Sequence, residues 1–196
     1  LAAGTTVADC LQIVKAVRKR SQIPIALMGY LNPILAYGER RFLGACQQAG
    51  VDALIIPDLP PEEAERFGTT ANDHGVRMVF LLAPTSTDAR CAAACKAASG
   101  FVYFVSVTGV TGARAALPTD LSAQLERVRR HTQARQLPLV VGFGISTPDQ
   151  ARAAGKDADG VVVGSAIVTR IAQGGSTAAR AKRVRSFVAS LKRGLR

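Results

Sequence analysis

The sequence runs LVVGFGIS over residues 139–146 and GVVVGSAI over residues 160–167. Each stretch is an apolar run that ends in glycine, a pattern typical of a buried parallel strand that stops at a turn. Where a strand ends at glycine, bare backbone N–H groups can approach an anion. Two such strands in succession, the second leading into a helix, predict the phosphate site that a (βα)8 barrel forms after strands 7 and 8. Buried strands with tight turns, or an anion site on an open α/β sheet, are the alternatives.

Helical and strand patterns alternate along the whole chain, which predicts a parallel sheet with right-handed crossovers. Besides the two glycine-ended runs, the predicted strands are 24–28, 53–57, 78–82 and 101–106. No glycine-rich nucleotide turn follows the first of them, which disfavours an open dinucleotide-binding sheet. If the glycine-ended runs are strands 7 and 8, residues 24–28 form strand 3. We therefore expect a single domain over residues 1–196, an incomplete (βα)8 TIM barrel of about six βα units, strands 3–8. The chain is shorter than the ~250 residues typical of that fold.

Composition indicates a globular protein rather than a membrane or secreted one. The 196 residues are 48% hydrophobic and 20% charged, and no apolar run approaches the ~20 residues of a membrane helix. The four cysteines do not form a disulfide framework in a chain of this size, so we expect reduced thiols and a cytoplasmic location. Cys91 and Cys95 lie one helical turn apart, but no further ligands follow at metal-binding spacing. We expect no metal site, and structural roles for His74 and His131.

The net charge of +11 raises the alternative of nucleic-acid binding. Residues 180–196 contain seven basic and no acidic residues, with apolar residues at helical spacing. We interpret them as a terminal helix with a solvated basic face. Aromatic residues total only 5% and none interleave with the basic ones, so we expect no nucleic-acid partner. A positive field suits a phosphorylated substrate equally well.

The ends of the predicted strands contain few groups that transfer protons. Asp58 is their sole carboxylate, and they contain neither lysine nor histidine. General acid–base chemistry usually needs a positioned acid and base. By this inventory, the six units resemble the part of a barrel that binds substrate, without the part that carries the catalytic groups. The loop over residues 107–113 is rich in glycine and follows a strand directly. It is predicted to close over a ligand, with a mobile connection as the alternative.

Five stretches, in order along the chain, resemble the tryptophan synthase alpha chain family: MGYLNP (28–33), PDLPPEE (57–63), VSVTGVTG (105–112), GFGIS (142–146) and GSAIV (164–168). The resemblance extends over the whole chain. It implies a (βα)8 barrel that cleaves indole-3-glycerol phosphate to indole and glyceraldehyde 3-phosphate. It also implies an α2β2 assembly with a β subunit that uses pyridoxal phosphate, and no cofactor in this chain.

The resemblance also assigns roles to individual residues. Those implied to bind phosphate through backbone N–H groups are Gly112, Gly144, Gly164 and Ser165. Those implied to shape the substrate pocket are Tyr30, Tyr103 and Phe143. Those implied to contact the β subunit are Asn32, Pro57 and Asp58. Thr111 is implied to lie on the closing loop, where the family uses a threonine hydroxyl to orient a catalytic carboxylate.

The sequence departs from the family pattern in its acid–base pair. The family uses a glutamate at the end of strand 2 and an aspartate in the loop that follows. That region would lie before Leu1, and its motif occurs nowhere in these 196 residues. We therefore expect this chain to lack lyase activity by itself. The alternative is a non-catalytic homologue that binds phosphate or activates the β subunit.

Overall fold

A computed structural model describes residues 4–106, 118–142 and 144–195. The chain divides into two compact units, Leu1–Leu81 with Ala92–Val102, and Leu82–Cys91 with Tyr103–Arg196. The described strands lie in the sheet in the order in which they occur along the chain. The alternation of strands and helices predicted from the sequence is confirmed, whereas the single domain stays a prediction. Within the described ranges, no helix is both long and apolar enough to span a membrane.

The first half of the chain contains short strands between longer helices. Its elements are α1 (Val7–Arg18), β1 (Ala26–Met28), α2 (Leu31–Tyr37), α3 (Glu39–Ala49), β2 (Ala53–Ile55), a 3-10 turn (Pro61–Glu63), α4 (Glu65–Asp73) and β3 (Arg77–Leu82). α1 begins with a capping box, in which Thr6 accepts the N–H of Asp9 and the Asp9 carboxylate accepts the N–H of Thr6. The three strands overlap the predicted strands 24–28, 53–57 and 78–82.

The second half repeats the strand–helix alternation. Its elements are α5 (Asp88–Ala97), β4 (Val102–Val105), α6 (Leu121–Gln133), β5 (Leu139–Gly142), α7 (Pro148–Gly155), β6 (Gly160–Val162), α8 (Ser165–Ala172) and α9 (Thr177–Gly194). Thr147 and Gln150 form a second capping box at the start of α7. The predicted strands that end at Gly142 and before Gly164 are therefore confirmed, as is the helix after the second.

The strands pair in parallel register within each unit. Ala26 of β1 lies opposite Ala53 of β2, which lies opposite Arg77 of β3. In the second unit, Val140 of β5 lies opposite Gly160 of β6. All three residues of β2 are buried, whereas Ala26 and Met28 of β1 are exposed. The core of the first unit is therefore centred on β2 and β3 rather than on β1.

The stretch GYLNP (29–33), directly after the first predicted strand, is predicted to be a loop, but α2 begins at its third residue, Leu31. Pro33 is nevertheless compatible with a helix here, because it lies in the first turn, where backbone N–H groups have no intrahelical acceptor. Proline followed by two glutamates at residues 61–63 predicts the start of a helix, but the structure has the 3-10 turn there and α4 starts at Glu65.

Candidate functional site

In the second unit, the end of β5 packs tightly against Tyr103 of β4. A Cβ atom added at Gly142 would lie 2.6 Å from the Tyr103 hydroxyl oxygen and 2.9 Å from the Cβ of Val162. No side chain fits in that space, so glycine is required where β5 ends. Tyr103 is 4% exposed, and burial raises the pKa of its phenol to about 12. The phenol is therefore neutral at physiological pH.

Ser106, just after β4, fixes the last carbonyl group of β5. Its hydroxyl donates to the Gly142 carbonyl oxygen at 2.8 Å, and its backbone N–H donates to the same oxygen at 3.0 Å. Ser106 is 1% exposed. A carbonyl oxygen has two lone pairs and both are used here. The start of the glycine turn after β5 is thus positioned by a residue to which the sequence assigned no particular role.

The turn after β5 reaches Gly144, whose φ of +84° lies in the left-handed region that favours glycine. Ser146 follows, and both its backbone N–H and its hydroxyl donate to the Gln150 side-chain oxygen, at 2.8 and 3.0 Å. The turn therefore passes directly into the capped N-terminus of α7. Its geometry leaves Gly144 partly exposed at the carboxyl end of β5.

The end of β6 leads into the open N-terminus of α8. Gly164 is the N-cap residue and provides no side-chain hydrogen bond, and an added Cβ there would meet no atom within 4 Å. The Gly164 carbonyl accepts the N–H groups of Ile167 and Val168, at 2.9 and 3.2 Å. The preceding N–H groups, of Ser165 and Ala166, have no acceptor within the helix. Gly164 and Ser165 are exposed, so the Ser165 N–H and the positive end of the helix dipole lie where an anion can approach, whereas Ala166 is buried.

Helix α9 holds the other end of α8 through basic side chains. Arg183 donates to the carbonyl oxygens of Arg170 and Gly174, at 3.0 and 2.6 Å. The Arg170 guanidinium lies 3.3 Å from the centre of the Phe187 ring. The expectation of a uniformly solvated basic face is therefore wrong for Arg183, because the C-terminal carbonyls of α8 need donors and its guanidinium provides them. Arg185 is exposed as expected.

In the first unit, the residues implied to contact a β subunit lie at the carboxyl ends of β1 and β2. Asn32, Pro57 and Asp58 are all exposed. The Asp58 carboxylate accepts the backbone N–H of Leu31, at 2.9 and 3.1 Å from its two oxygens. The carboxylate thereby caps α2, whose own N-cap residue, Tyr30, contributes no side-chain bond.

Tyr30 borders a cavity of about 120 Å³ in the first unit. Tyr30 itself is 66% exposed. Most of the cavity lining is apolar, contributed by residues that include Leu27, Met28, Ile34 and Ile56. An apolar space beside an amphipathic tyrosine suits a planar aromatic group. The pocket role that the resemblance implies for Tyr30 stays a prediction.

The structure brings part of the predicted site together. Gly144 follows β5 and Gly164 and Ser165 follow β6, and these two strands are paired neighbours, so both turns leave the same edge of the sheet. Tyr103 packs at the end of β5, next to the first turn. Tyr30 belongs to the other unit. Three predicted residues, Thr111, Gly112 and Phe143, lie outside the described residues, as does the loop over 107–113.

A parallel α/β sheet in which strands and helices alternate, with glycine turns after its last two strands, is typical of a protein of the TIM-barrel type. Comparison with known proteins agrees with that class. The family model described as "Tryptophan synthase alpha chain" matches residues 1–196. The chain belongs to the tryptophan synthase alpha chain family, a family of lyases in tryptophan biosynthesis.

Relatives and solved structures match over nearly the whole chain. The alpha chain of Citrifermentans bemidjiense is 50% identical over 195 residues, which cover 100% of this chain and 72% of the relative. That of Geobacter sulfurreducens is 49% identical, over 98% of this chain and 71% of the relative. Mycobacterium tuberculosis tryptophan synthase superposes with a TM-score of 0.86 at 36% identity, over 98% of this chain and 70% of its own. The tryptophan synthase complex from Pyrococcus furiosus superposes with a TM-score of 0.85 at 34% identity, over 96% of this chain and 74% of its own.

Proposed function

We propose that the chain holds the phosphate group of indole-3-glycerol phosphate at the turns after β5 and β6. The observation that carries the proposal is the N-terminus of α8, where the cap residue has no side chain and both Gly164 and Ser165 are exposed. Gly144, Gly164 and Ser165 would bind through backbone N–H groups, as Gly112 would from the loop before α6. A phosphate dianion at this position gains from both hydrogen bonds and the helix dipole.

The proposed reaction is the retro-aldol cleavage to indole and glyceraldehyde 3-phosphate. It needs one proton delivered to the indole ring and another removed from a glycerol hydroxyl. Tyr103 is a poor base, because its raised pKa keeps the phenol protonated. Asp58 is occupied by the N–H of Leu31. Tyr30, Tyr103 and Phe143 would therefore shape the pocket, and Thr111 would orient a carboxylate that these 196 residues do not supply.

We propose accordingly that these 196 residues form six units, strands 3–8, of a (βα)8 barrel and do not release indole by themselves. The family's glutamate and aspartate motifs are absent from the sequence, and the one carboxylate at a predicted strand end already caps a helix. We therefore expect this chain to have the groups that bind the substrate and to lack the groups that transfer protons. The chain would bind the phosphorylated substrate without cleaving it.

The proposed partner is a tryptophan synthase β subunit in an α2β2 assembly in the cytoplasm. A solved relative is a tryptophan synthase complex, and Asn32, Pro57 and Asp58 are exposed together at the ends of β1 and β2. Pyridoxal phosphate would belong to that β subunit, with no cofactor in this chain. The exposed contact residues also favour a second function, a non-catalytic homologue that binds phosphate and activates the β subunit.

An indole-release assay distinguishes these proposals. The purified chain is incubated with indole-3-glycerol phosphate, alone and with a β subunit, beside the Geobacter sulfurreducens alpha chain as a positive control. We expect no indole from this chain alone. Indole release that falls in a Gly144→Ala variant would contradict the proposed inactivity. Stimulation of the serine reaction of the β subunit, lost in Asp58→Ala, would favour the activating function.

A further inference from the structure

Three side chains with metal-binding donor atoms converge in the second unit, on the helices α5 and α6. Asp88 is the first residue of α5, and Cys91 follows one turn later. His131 lies in the last turn of α6. The thiol, one imidazole nitrogen and one carboxylate oxygen all lie within 4.8 Å of one another. His131 Nε2 is 3.6 Å from Asp88 Oδ1.

The surroundings give this cluster one buried wall and one open side. Cys91 is fully buried, the His131 side chain is 25% exposed and that of Asp88 is 67% exposed. Asp88 therefore forms the side of the cluster that faces solvent. Arg127, one turn before His131, is the charged neighbour that would oppose a cation. Its guanidinium is directed to the carbonyl oxygens of Pro84 and Ser86, at 3.2 and 2.9 Å.

We propose that Asp88, Cys91 and His131 bind a divalent transition-metal ion of the zinc class. A thiolate, an imidazole and a carboxylate are the three ligand types that zinc takes in proteins. Zinc-to-ligand bonds of about 2.0–2.3 Å place tetrahedral ligands roughly 3.3–3.8 Å apart. Donors that lie up to 4.8 Å apart therefore need to approach by up to about 1.5 Å. Magnesium and calcium are disfavoured, because they require oxygen ligands.

Three protein ligands leave the fourth tetrahedral position to water. The bound ion would join the start of α5 to the end of α6, which the Asp88–His131 pair otherwise links only weakly, since exposed ion pairs contribute little. The expected consequence is a metal-dependent rise in the stability of the folded chain, by mass action. The inference is independent of the proposed phosphate site, because none of its residues belongs to the turns after β5 and β6.

Cobalt(II) titration of the reduced protein tests the proposal, because a thiolate bound to cobalt gives a near-ultraviolet charge-transfer absorption. We expect a saturable band at one cobalt per chain that zinc abolishes by competition. His131→Gln should weaken cobalt binding at least tenfold, and Cys91→Ala should remove the band. The matched control is Cys10→Ala, which removes a partly exposed thiol elsewhere and should leave the band unchanged.

Three results would overturn the proposal: no saturable band in the wild type, a band that survives in Cys91→Ala, or equal affinity in His131→Gln. Circular dichroism of each variant checks the fold. If Cys91→Ala fails to fold, the cobalt titration of His131→Gln still tests the proposal. The His131 side chain is partly exposed, so its replacement leaves the core intact. Thermal unfolding with and without zinc provides a readout that does not depend on enzymatic activity.

Discussion

Asp58, in the loop after β2, caps a helix that begins 27 residues earlier in the chain. Both oxygens of its carboxylate accept the backbone N–H of Leu31, at 2.9 and 3.1 Å. A carboxylate at a helix N-terminus satisfies an unpaired donor and interacts favourably with the helix dipole. This pair joins the start of α2, which contains Asn32, to the loop that contains Pro57 and Asp58, the other proposed contacts to a β subunit.

Replacing Asp58 by alanine should loosen the start of α2 while the rest of the first unit stays folded. We expect a loss of about 1 kcal/mol in the free energy of unfolding, typical of a lost cap, and faster amide exchange at Leu31. Urea unfolding and hydrogen exchange measure the two effects. Asn32→Ala, at an exposed position on the same helix, is the control and should leave the Leu31 amide protected. Unchanged exchange in Asp58→Ala would show that the carboxylate does not cap α2.

The Ser106 hydroxyl should contribute measurably to stability, since it is buried and bonded to the Gly142 carbonyl. Ser106→Ala leaves the backbone N–H bond to the same oxygen, so we expect a loss of about 1 kcal/mol rather than more. The control is Ser122→Ala, whose hydroxyl bonds Asp157 at the exposed surface. Equal unfolding midpoints for the two variants would contradict the positioning role of Ser106.

Arg183 should matter more than its basic neighbours on α9. Arg183→Ala removes two donors to the carbonyls at the end of α8, and we expect a loss of about 1–2 kcal/mol in stability. Arg185→Ala makes the same charge change at an exposed position and should alter stability by less than about 0.5 kcal/mol. Thermal unfolding of both variants at two salt concentrations separates the local contacts from net charge. Matching losses in both variants would indicate a charge effect alone.

Tyr103 should make stability fall at high pH. Burial raises the pKa of its phenol from 10.0 to about 12, so the folded chain keeps a proton that the unfolded chain loses. Its contribution is therefore complete below pH 10 and declines between pH 10 and 12, by at most about 1.4 kcal/mol per pH unit. Tyr103→Phe should flatten the stability curve over that interval. Burial also raises the pKa of the Cys46 thiol, from 9.0 to about 12. Cys46 therefore causes its own fall in stability between pH 9 and 12, and that fall should persist in Tyr103→Phe.

Local patterns in the sequence predicted the strands, most helices and the glycine turns, because each depends on residues close together in the chain. The apolar runs before Gly142 and Gly164 are examples. Contacts between distant segments could not be predicted in this way. The cap that Asp58 provides to Leu31 turned a predicted loop into α2. His131 meets Asp88 and Cys91 only because α5 and α6 pack together, so spacing along the chain gave no sign of that cluster.

The proposed phosphate site at Gly164 is tested most directly by calorimetric titration of glycerol 3-phosphate into the wild type and Gly164→Asp. Aspartate is a good N-cap residue and has room at this position, so α8 should remain stable while its carboxylate occupies and repels the anion site. We predict measurable binding by the wild type and at least about tenfold weaker binding by the variant. A tenfold loss corresponds to the loss of one charge-assisted hydrogen bond. Ser176→Asp adds the same charge at the N-cap of α9 and should bind as the wild type does. Equal affinity in Gly164→Asp, or no binding by the wild type, would contradict the proposed phosphate site.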